Sequence, residues 1–492
     1  MRNTSVPSAQ GQDLPHHPPH HRNVLFALLG WVAALNLPFF ILEFFFSFDR
    51  GNFILLYIAL FLVFVLLTRT GLMTRHPVLS RVLVYGLVFG TICFELFRFS
   101  YYFFGLRGPE MLQALPMITH LDPTSYPMYF GFGVGMTVCF AAFIFLSGQA
   151  VITRKRDVIA VCIPLAALAI ADVIYNQTLH FKADLAFGLD SVEMSSPQPF
   201  ERAVNQDALL EPRLINGEDR DLLVVVVEAL GVFKNQTMNT QLFTAFENKE
   251  LNQNFDIKRG TISYKGSTTA SEMRELCGSR DSYLEVLYDE FDPSNCLPNV
   301  LAENGYSTVA YHGFHGELFE RENWYKKIGF ANSRFLKDLF QENEKFRKTG
   351  FCGSTFKGAC DKQIADLVHH DFVSGETKRF AYWLTLNSHF PAKRRANFGT
   401  PFECSQFGLD YDNQICVMSE YWTEVFEQVR TIAMADRPRP IDIVLVGDHA
   451  PPLLWRTDRD RFQPGYVPYV ILKEKQREMM AYKPEAVETH KR

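Results

Sequence analysis

Glu228 closes an unbroken apolar run, Leu222–Val227, and Gly447-Asp448-His449 closes another, Ile441–Val446. Asn387-Ser388-His389 follows a third run, Phe380–Leu386, and His312 follows a fourth, Ser307–Tyr311. Carboxylates and imidazoles bind divalent metals, and they also move protons in general acid–base catalysis. Runs of this kind read as parallel strands buried on both faces. In parallel sheets, ligands bind beyond the carboxyl ends of the strands. Helix N-caps favour Asp and Asn as well, so one such ending would mean little. Four endings on one sheet edge point to a site.

A hydroxyl completes the set. In Gly266-Ser267-Thr268-Thr269-Ala270-Ser271-Glu272, Thr269 and Glu272 have the spacing of a capping box, which predicts a helix through Met273–Leu276. Thr268 then stands just ahead of a helix N-terminus, where free amides and the helix dipole favour an anion. A metal-bound hydroxyl there could ionise and attack phosphorus. The plain alternative is that Thr268 and Thr269 only cap the helix. Beside Glu228, Asp448 and His449, however, Thr268 becomes a nucleophile with a metal site at hand.

These residues need a scaffold. Strands alternate with helical stretches over about 250 residues, which predicts one α/β domain with a mainly parallel central sheet, residues 221–480, followed by a tail, 481–492. The preceding part is of another kind. The chain has 492 residues, is 47% hydrophobic and carries 45 Phe against 5 Trp, with Phe concentrated in the first third. Its net charge of −5 argues against a nucleic-acid partner. Apolar stretches at Val24–Phe48, Phe53–Thr68, Val82–Phe104, Met128–Gly148 and Val158–Tyr175 predict a five-helix transmembrane domain, residues 23–176, behind a disordered tail, 1–22. Arg69, Arg75 and Arg81 in the second connection, and Arg154, Lys155 and Arg156 in the fourth, place those connections and the N-terminus in the cytoplasm. Five crossings then deliver the α/β domain to the other side. Residues 177–220 read as a connector that could carry an amphipathic helix on the membrane surface.

Cysteines agree on the side. Cys277, Cys296, Cys352, Cys360, Cys404 and Cys416 all come after the apolar stretches and fall into three sequence-local pairs, as expected in an oxidising compartment such as a bacterial periplasm. Neighbour-to-neighbour pairing is the simplest of 15 connectivities. No C-x-x-C occurs to favour a metal instead.

VVVVE with Glu228, GSTTASE with Thr268, LNSHFP with His389 and GDHAPP with Asp448 and His449 resemble the alkaline phosphatase/sulfatase superfamily. Within it, the chain is most similar to membrane-anchored phosphoglycerol and phosphoethanolamine transferases, including lipoteichoic acid synthases, which also place five spans before an extracytoplasmic catalytic domain. The resemblance implies that Glu228, Thr268, Asp448 and His449 hold one Zn²⁺ or Mn²⁺, and that Thr268 takes up the phospho-substituent. It implies that His389 binds or protonates near the transferred phosphate. It also matches His312 and Arg321 to a substrate-binding His and Arg, and an Arg fork suits phosphate.

Departures from the family pattern limit the choice. Phe319 stands where the synthase group has a Trp, no C/S-x-P-x-R motif lies near Thr268, and Glu228 is not followed by the GE-x-x-R pattern of lipid A phosphoethanolamine transferases. The resemblance implies transfer of a phospholipid headgroup through phospho-threonine to a periplasmic, capsular or lipid-linked glycan, at the bacterial inner membrane. The partners are then a phospholipid donor, a glycan or glycolipid acceptor and the bilayer. The alternatives are a phosphodiesterase or phosphatase that uses water, and a catalytically silent assembly factor for polysaccharide export.

Overall fold

A computed structural model describes residues 201–205, 219–264, 266–395 and 402–475, with scattered positions between 76 and 170. The expected tail, the first two apolar stretches and residues 476–492 lie outside the described residues, and the other three stretches enter only at isolated positions. Among the described residues, no helix is long and apolar enough to cross a membrane. The chain divides into two compact units, 1–96 with 128–183 and 97–127 with 184–492. The second unit holds the sheet and the helices that surround it.

Seven strands form one sheet among the described residues. They are β1 (Asp221–Val227), β2 (Phe255–Ser263), β3 (Ser307–His312), β4 (Asn332–Arg334), β5 (Arg379–Leu384), β6 (Ile441–Gly447) and β7 (Tyr466–Glu474), in the order β2-β7-β6-β1-β5-β3-β4. The β6-β1-β5-β3-β4 block is parallel, while β7 runs antiparallel to both β6 and β2. The fold is thus the expected α/β domain with a mainly parallel sheet. Every residue of β1 is buried, which is why its side chains after Asp221 are apolar without alternation. β5 ends two residues before its apolar run does, because the Leu386 and Asn387 amides turn to the carboxylate of Asp361.

Three strands had no clear sequence signal. β2 carries Asp256, Lys258 and Arg259 because it is an edge strand with one face in water. β4 is only three residues long. β7 contains Pro468, which is tolerated because pairing with β6 stops at Tyr469, so the missing N–H lies past that ladder.

Five helices frame the site and its supports: α1 (Gly108–Ala114), α2 (Thr268–Cys277), α3 (Arg321–Lys327), α4 (Asp361–Ser374) and α5 (Gln414–Met434). α4 and α5 pack against each other. Disulfides Cys277–Cys296, Cys352–Cys360 and Cys404–Cys416 tie the end of α2, the start of α4 and the start of α5, so the neighbour-to-neighbour pairing is present. α1 docks through Glu110, which accepts from Ser282 Oγ at 2.9 Å, and through Gln113, which accepts from the Tyr283 hydroxyl at 3.0 Å.

The expected connector enters this unit at residues 201–205. Ala203 and Val204 are fully buried, and their amides donate to the Glu275 carboxylate on α2 at 3.2 and 2.9 Å. Arg202 Nη2 donates to the Glu275 carbonyl at 2.9 Å.

Candidate active site and metal centre

The parallel register pairs Val227 with Gly447, so Glu228 and Asp448 leave their strands side by side. Hydrogen bonds fix both chain segments as they turn. Glu228 N donates to Thr385 Oγ1 at 2.9 Å, and its carbonyl accepts from Ser388 Oγ at 2.7 Å and Trp422 Nε1 at 3.1 Å. Asp448 Oδ1 accepts from the amides of Ala229 at 2.7 Å and His449 at 2.6 Å. Ala229 adopts φ 54°, a left-handed conformation that sharpens the turn after β1. Gly447 admits that turn because a Cβ there would meet the Leu230 carbonyl at 2.2 Å.

α2 delivers the hydroxyl. Ser267, not Thr269, caps this helix: Ser267 Oγ accepts from Ala270 N at 3.3 Å, and Thr269 lies inside the helix, buried. The capping box is therefore absent. Glu272 is instead buried against Arg321, because a carboxylate gains more from a buried guanidinium than from one exposed amide. Thr268, the first helical residue, donates from Oγ1 to Asp448 Oδ2 at 3.0 Å and lies 3.3 Å from His449 Nε2.

Glu228, Asp448 and His449 bring one ligand atom each within 4.8 Å of one another. His449 Nδ1 lies 2.9 Å from the Ala450 carbonyl, which can only accept, so Nδ1 carries the hydrogen and Nε2 keeps a lone pair. Nε2 lies 3.3 Å from Asp448 Oδ2 and 3.7 Å from Glu228 Oε1. Glu228 Oε1 is buried and has no hydrogen-bond partner. Burial first, then the neighbouring Asp448, pushes the Glu228 carboxyl well above its usual range. Two buried carboxylates converging with an orphaned oxygen need positive charge, and a divalent cation supplies it. The O, O and N donors, with the Thr268 hydroxyl beside them, fit Zn²⁺ or Mn²⁺.

His389 closes one side, with Nε2 3.9 Å from Glu228 Oε1 and its ring 4.3 Å from that of Phe356. Its pKa is pushed down by burial and then by His449, although a quarter of the side chain stays open to solvent. Its loop is pinned by Asp361 at the start of α4. That carboxylate accepts from Leu386 N at 3.1 Å and Asn387 N at 2.7 Å, while Asp361 N donates to Asn387 Oδ1 at 2.8 Å. Burial pushes the Asp361 carboxyl up to about 7 against those amides.

His312 ends β3, with Nδ1 3.1 Å from the Leu384 carbonyl; burial first and Arg321 second push its pKa down to about 3. Arg321 opens α3, after Phe319 and Glu320 at φ 57° and 53°. Two successive non-glycine residues in the left-handed region are strain of a kind that gathers at functional sites. Burial opposes the Arg321 charge, but Glu272 more than offsets it and its pKa rises.

Direct distances thus join Glu228, Thr268, Asp448, His449 and His389. His312 and Arg321 share no hydrogen bond or ion pair with that group; they couple to it through charge, Arg321 acting on both Glu228 and His312, and His389 on His312. Thr385, Trp422 and Asp361 support the site and went unread in the sequence, Ser388 was read only as part of the turn after β5, and Glu272 was read as a helix cap. The signal that could have placed Glu272 correctly is its position one helical turn after Thr268.

A family model described as Sulfatase matches residues 221–482. No curated protein matches the chain. Among solved structures, it is similar to an alkaline phosphatase superfamily protein from Vibrio parahaemolyticus, at 16% identity over 53% of this chain and 61% of that one, with TM-score 0.38. It is also similar to a lipoteichoic acid synthase from Listeria monocytogenes, at 15% identity over 54% and 67%, with TM-score 0.37. A Streptococcus pyogenes phosphoglycerol transferase, in complex with sn-glycerol-1-phosphate, is similar at 17% identity over 56% and 77%, with TM-score 0.37. The chain therefore spans less than two thirds of the length of the Vibrio protein.

Proposed function

The chain belongs to the sulfatase family, and from that premise we propose that it is a phosphotransferase that moves a phospholipid headgroup, phosphoglycerol or phosphoethanolamine, onto a glycan hydroxyl by way of Thr268. The observation that carries this reading is the Thr268 hydroxyl, 3.0 Å from Asp448 Oδ2, at a helix start beside an orphaned buried carboxylate oxygen.

Glu228, Asp448, His449 and Thr268 would hold one Zn²⁺ or Mn²⁺. When bound, such an ion acts as a Lewis acid on phosphate oxygens and lowers the pKa of a bound hydroxyl. The chain's own residues do the rest. Asp448 Oδ2 accepts the Thr268 hydrogen bond and aims Oγ1. In the first step Oγ1 gives up its proton as it bonds to phosphorus, the bond from phosphorus to the diacylglycerol oxygen breaks, and that oxygen takes up a proton as it leaves, so protons balance. His389, partly open to solvent, is the candidate group for that proton, with His312 the alternative. In the second step an acceptor hydroxyl attacks phosphorus, gives up its proton, and Thr268 departs as the free alcohol. Arg321 offers its guanidinium to the phosphate, where fixed positive charge contributes most to phosphoryl transfer.

The cellular setting belongs to the same proposal. The five apolar stretches, their basic connections and the disulfides support a bacterial inner-membrane protein with a cytoplasmic N-terminus and a periplasmic catalytic domain. Such anchoring would hold the enzyme beside a lipid donor.

The test is intact mass spectrometry of the full chain, loaded with Zn²⁺ or Mn²⁺ and mixed with vesicles containing phosphatidylglycerol or phosphatidylethanolamine. The expected result is a gain of one headgroup phosphate, absent in Thr268→Ala. Neither adduct nor released headgroup from either lipid would overturn the reading. Free headgroup released to water, with no transfer to any glycan, would make the protein a hydrolase.

A further inference from the structure

Glu272 lies one turn after Thr268 on α2 and is fully buried. Its Oε2 accepts from Arg321 Nε at 3.0 Å and forms an ion pair with Nη2 at 2.9 Å. Its Oε1 accepts from the hydroxyls of Tyr325, one turn after Arg321 on α3, and Tyr382, on β5, the latter at 3.2 Å. One carboxylate thus joins the helix that carries the nucleophile, the helix that carries the guanidinium and a central strand. Both of its oxygens are fully engaged, so it has no capacity left to serve as a base or a metal ligand.

The consequence lies in what Arg321 has left. A guanidinium has five N–H donors. Glu272 takes the Nε–Nη2 edge, and Nη1 makes one long bond, 3.4 Å, to the Leu318 carbonyl. The charge is thereby fixed in direction with its Nη1 edge weakly engaged. We infer that Glu272 is a positioning residue: it aims the Nη1 edge of Arg321 at the phosphate carried by Thr268, at a distance set by the single helical turn between residues 268 and 272. This rests on the transferase reading for what is bound, and on the geometry for how it is held.

Loss of a buried ion pair that served only the fold would lower stability without changing phosphate affinity, and this difference provides the test. The full chain, Glu272→Gln, Arg321→Ala and the double variant are compared by two measurements. One is binding of inorganic phosphate to the Zn²⁺-loaded protein, by calorimetry. The other is headgroup transfer from vesicles of phosphatidylglycerol or phosphatidylethanolamine. Glu272→Gln keeps the side chain's shape and removes its charge; it should weaken phosphate binding and raise the donor KM by about tenfold each, with a smaller change in kcat. The double variant should match Arg321→Ala to within roughly twofold, since both act through one guanidinium.

Independent, multiplying losses overturn the inference, as does phosphate binding in Glu272→Gln equal to the wild type's. Should Glu272→Gln fail to fold, Tyr325→Phe removes one hydroxyl from Glu272 and leaves every charge; it should weaken phosphate binding roughly two- to fivefold, and no change would sink the idea. Phosphate binding that depends on Glu272 in a wild type releasing no headgroup would support this inference and remove the transferase reading. Transfer that ignores Glu272 would do the reverse.

Discussion

Glu228 Oε1 sits buried without a donor, 3.7 Å from His449 Nε2 and 3.9 Å from His389 Nε2. At the proposed metal site, Glu228→Gln should weaken Zn²⁺ binding by about 100-fold or more, measured by calorimetry on the full chain. Asp361 gives a pH-dependent counterpart. Its folded pKa, pushed up to about 7 by burial, exceeds that of an unfolded aspartate, so the fold holds the proton more tightly. Its contribution is complete below about pH 4 and is lost as pH rises through about 7. Urea midpoints should therefore fall between pH 5 and 8, by a free energy on the order of a few kcal/mol, and Asp361→Asn should flatten that fall. At this scale the sequence is legible where chemistry selects a residue type. Glu228, Thr268, Asp448 and His449 stand out because few structural roles need them in those places. Glu272 was misread because spacing alone cannot separate a capping carboxylate from a buried partner, and the partner, Arg321, lies 49 positions away. Asp361 and Trp422 were invisible because what they hold, backbone groups at 386–387 and 228, is defined only by folding.

Elements position the site through two close approaches. Gly447 lets β6 turn beside Leu230, so Gly447→Ala should cost about 1–3 kcal/mol and displace Asp448, lowering both the urea midpoint and metal affinity. The Cys352–Cys360 disulfide closes a short loop ahead of Asp361, whose carboxylate in turn holds the loop bearing His389. Replacing both cysteines with Ser should cost about 2–3 kcal/mol, read as a lower unfolding midpoint, and should slow transfer more than it weakens metal binding. Strands β1, β3, β5 and β6 were legible because burial on both faces leaves mostly apolar residues, with Asp221 and Asp442 as the buried charged exceptions. Strands β2, β4 and β7 were not, because an edge, a three-residue strand and a strand with proline at its margin each dilute that pattern.

For the whole molecule, a metal held only by the folded chain stabilises it by mass action. Zn²⁺ at about 100 times its Kd should contribute about 2.7 kcal/mol and raise the midpoint of the α/β unit by roughly 5–10 °C. The fluorescence of buried Trp324, Trp383 and Trp422 reports that transition. Glu228→Gln should abolish the rise. The expected membrane-spanning half lies largely outside the described residues, and the docking of α1 against Ser282 and Tyr283 was not legible, since nothing in GPEMLQA names its partners.

The anchoring of residues 202–204 on Glu275 bears on where this protein can be cut. A recombinant fragment started at residue 219, just before β1, would strip the Ala203 and Val204 amides from that carboxylate and leave Glu275 bonded to Arg274 alone among its present side-chain and amide partners. Leaving the buried acceptor short of donors would cost about 1–3 kcal/mol, felt at the far end of the helix that begins with Thr268. A well-behaved soluble version should therefore begin upstream of residue 201, and nested truncations compared by expression yield and melting temperature should break sharply between 200 and 206.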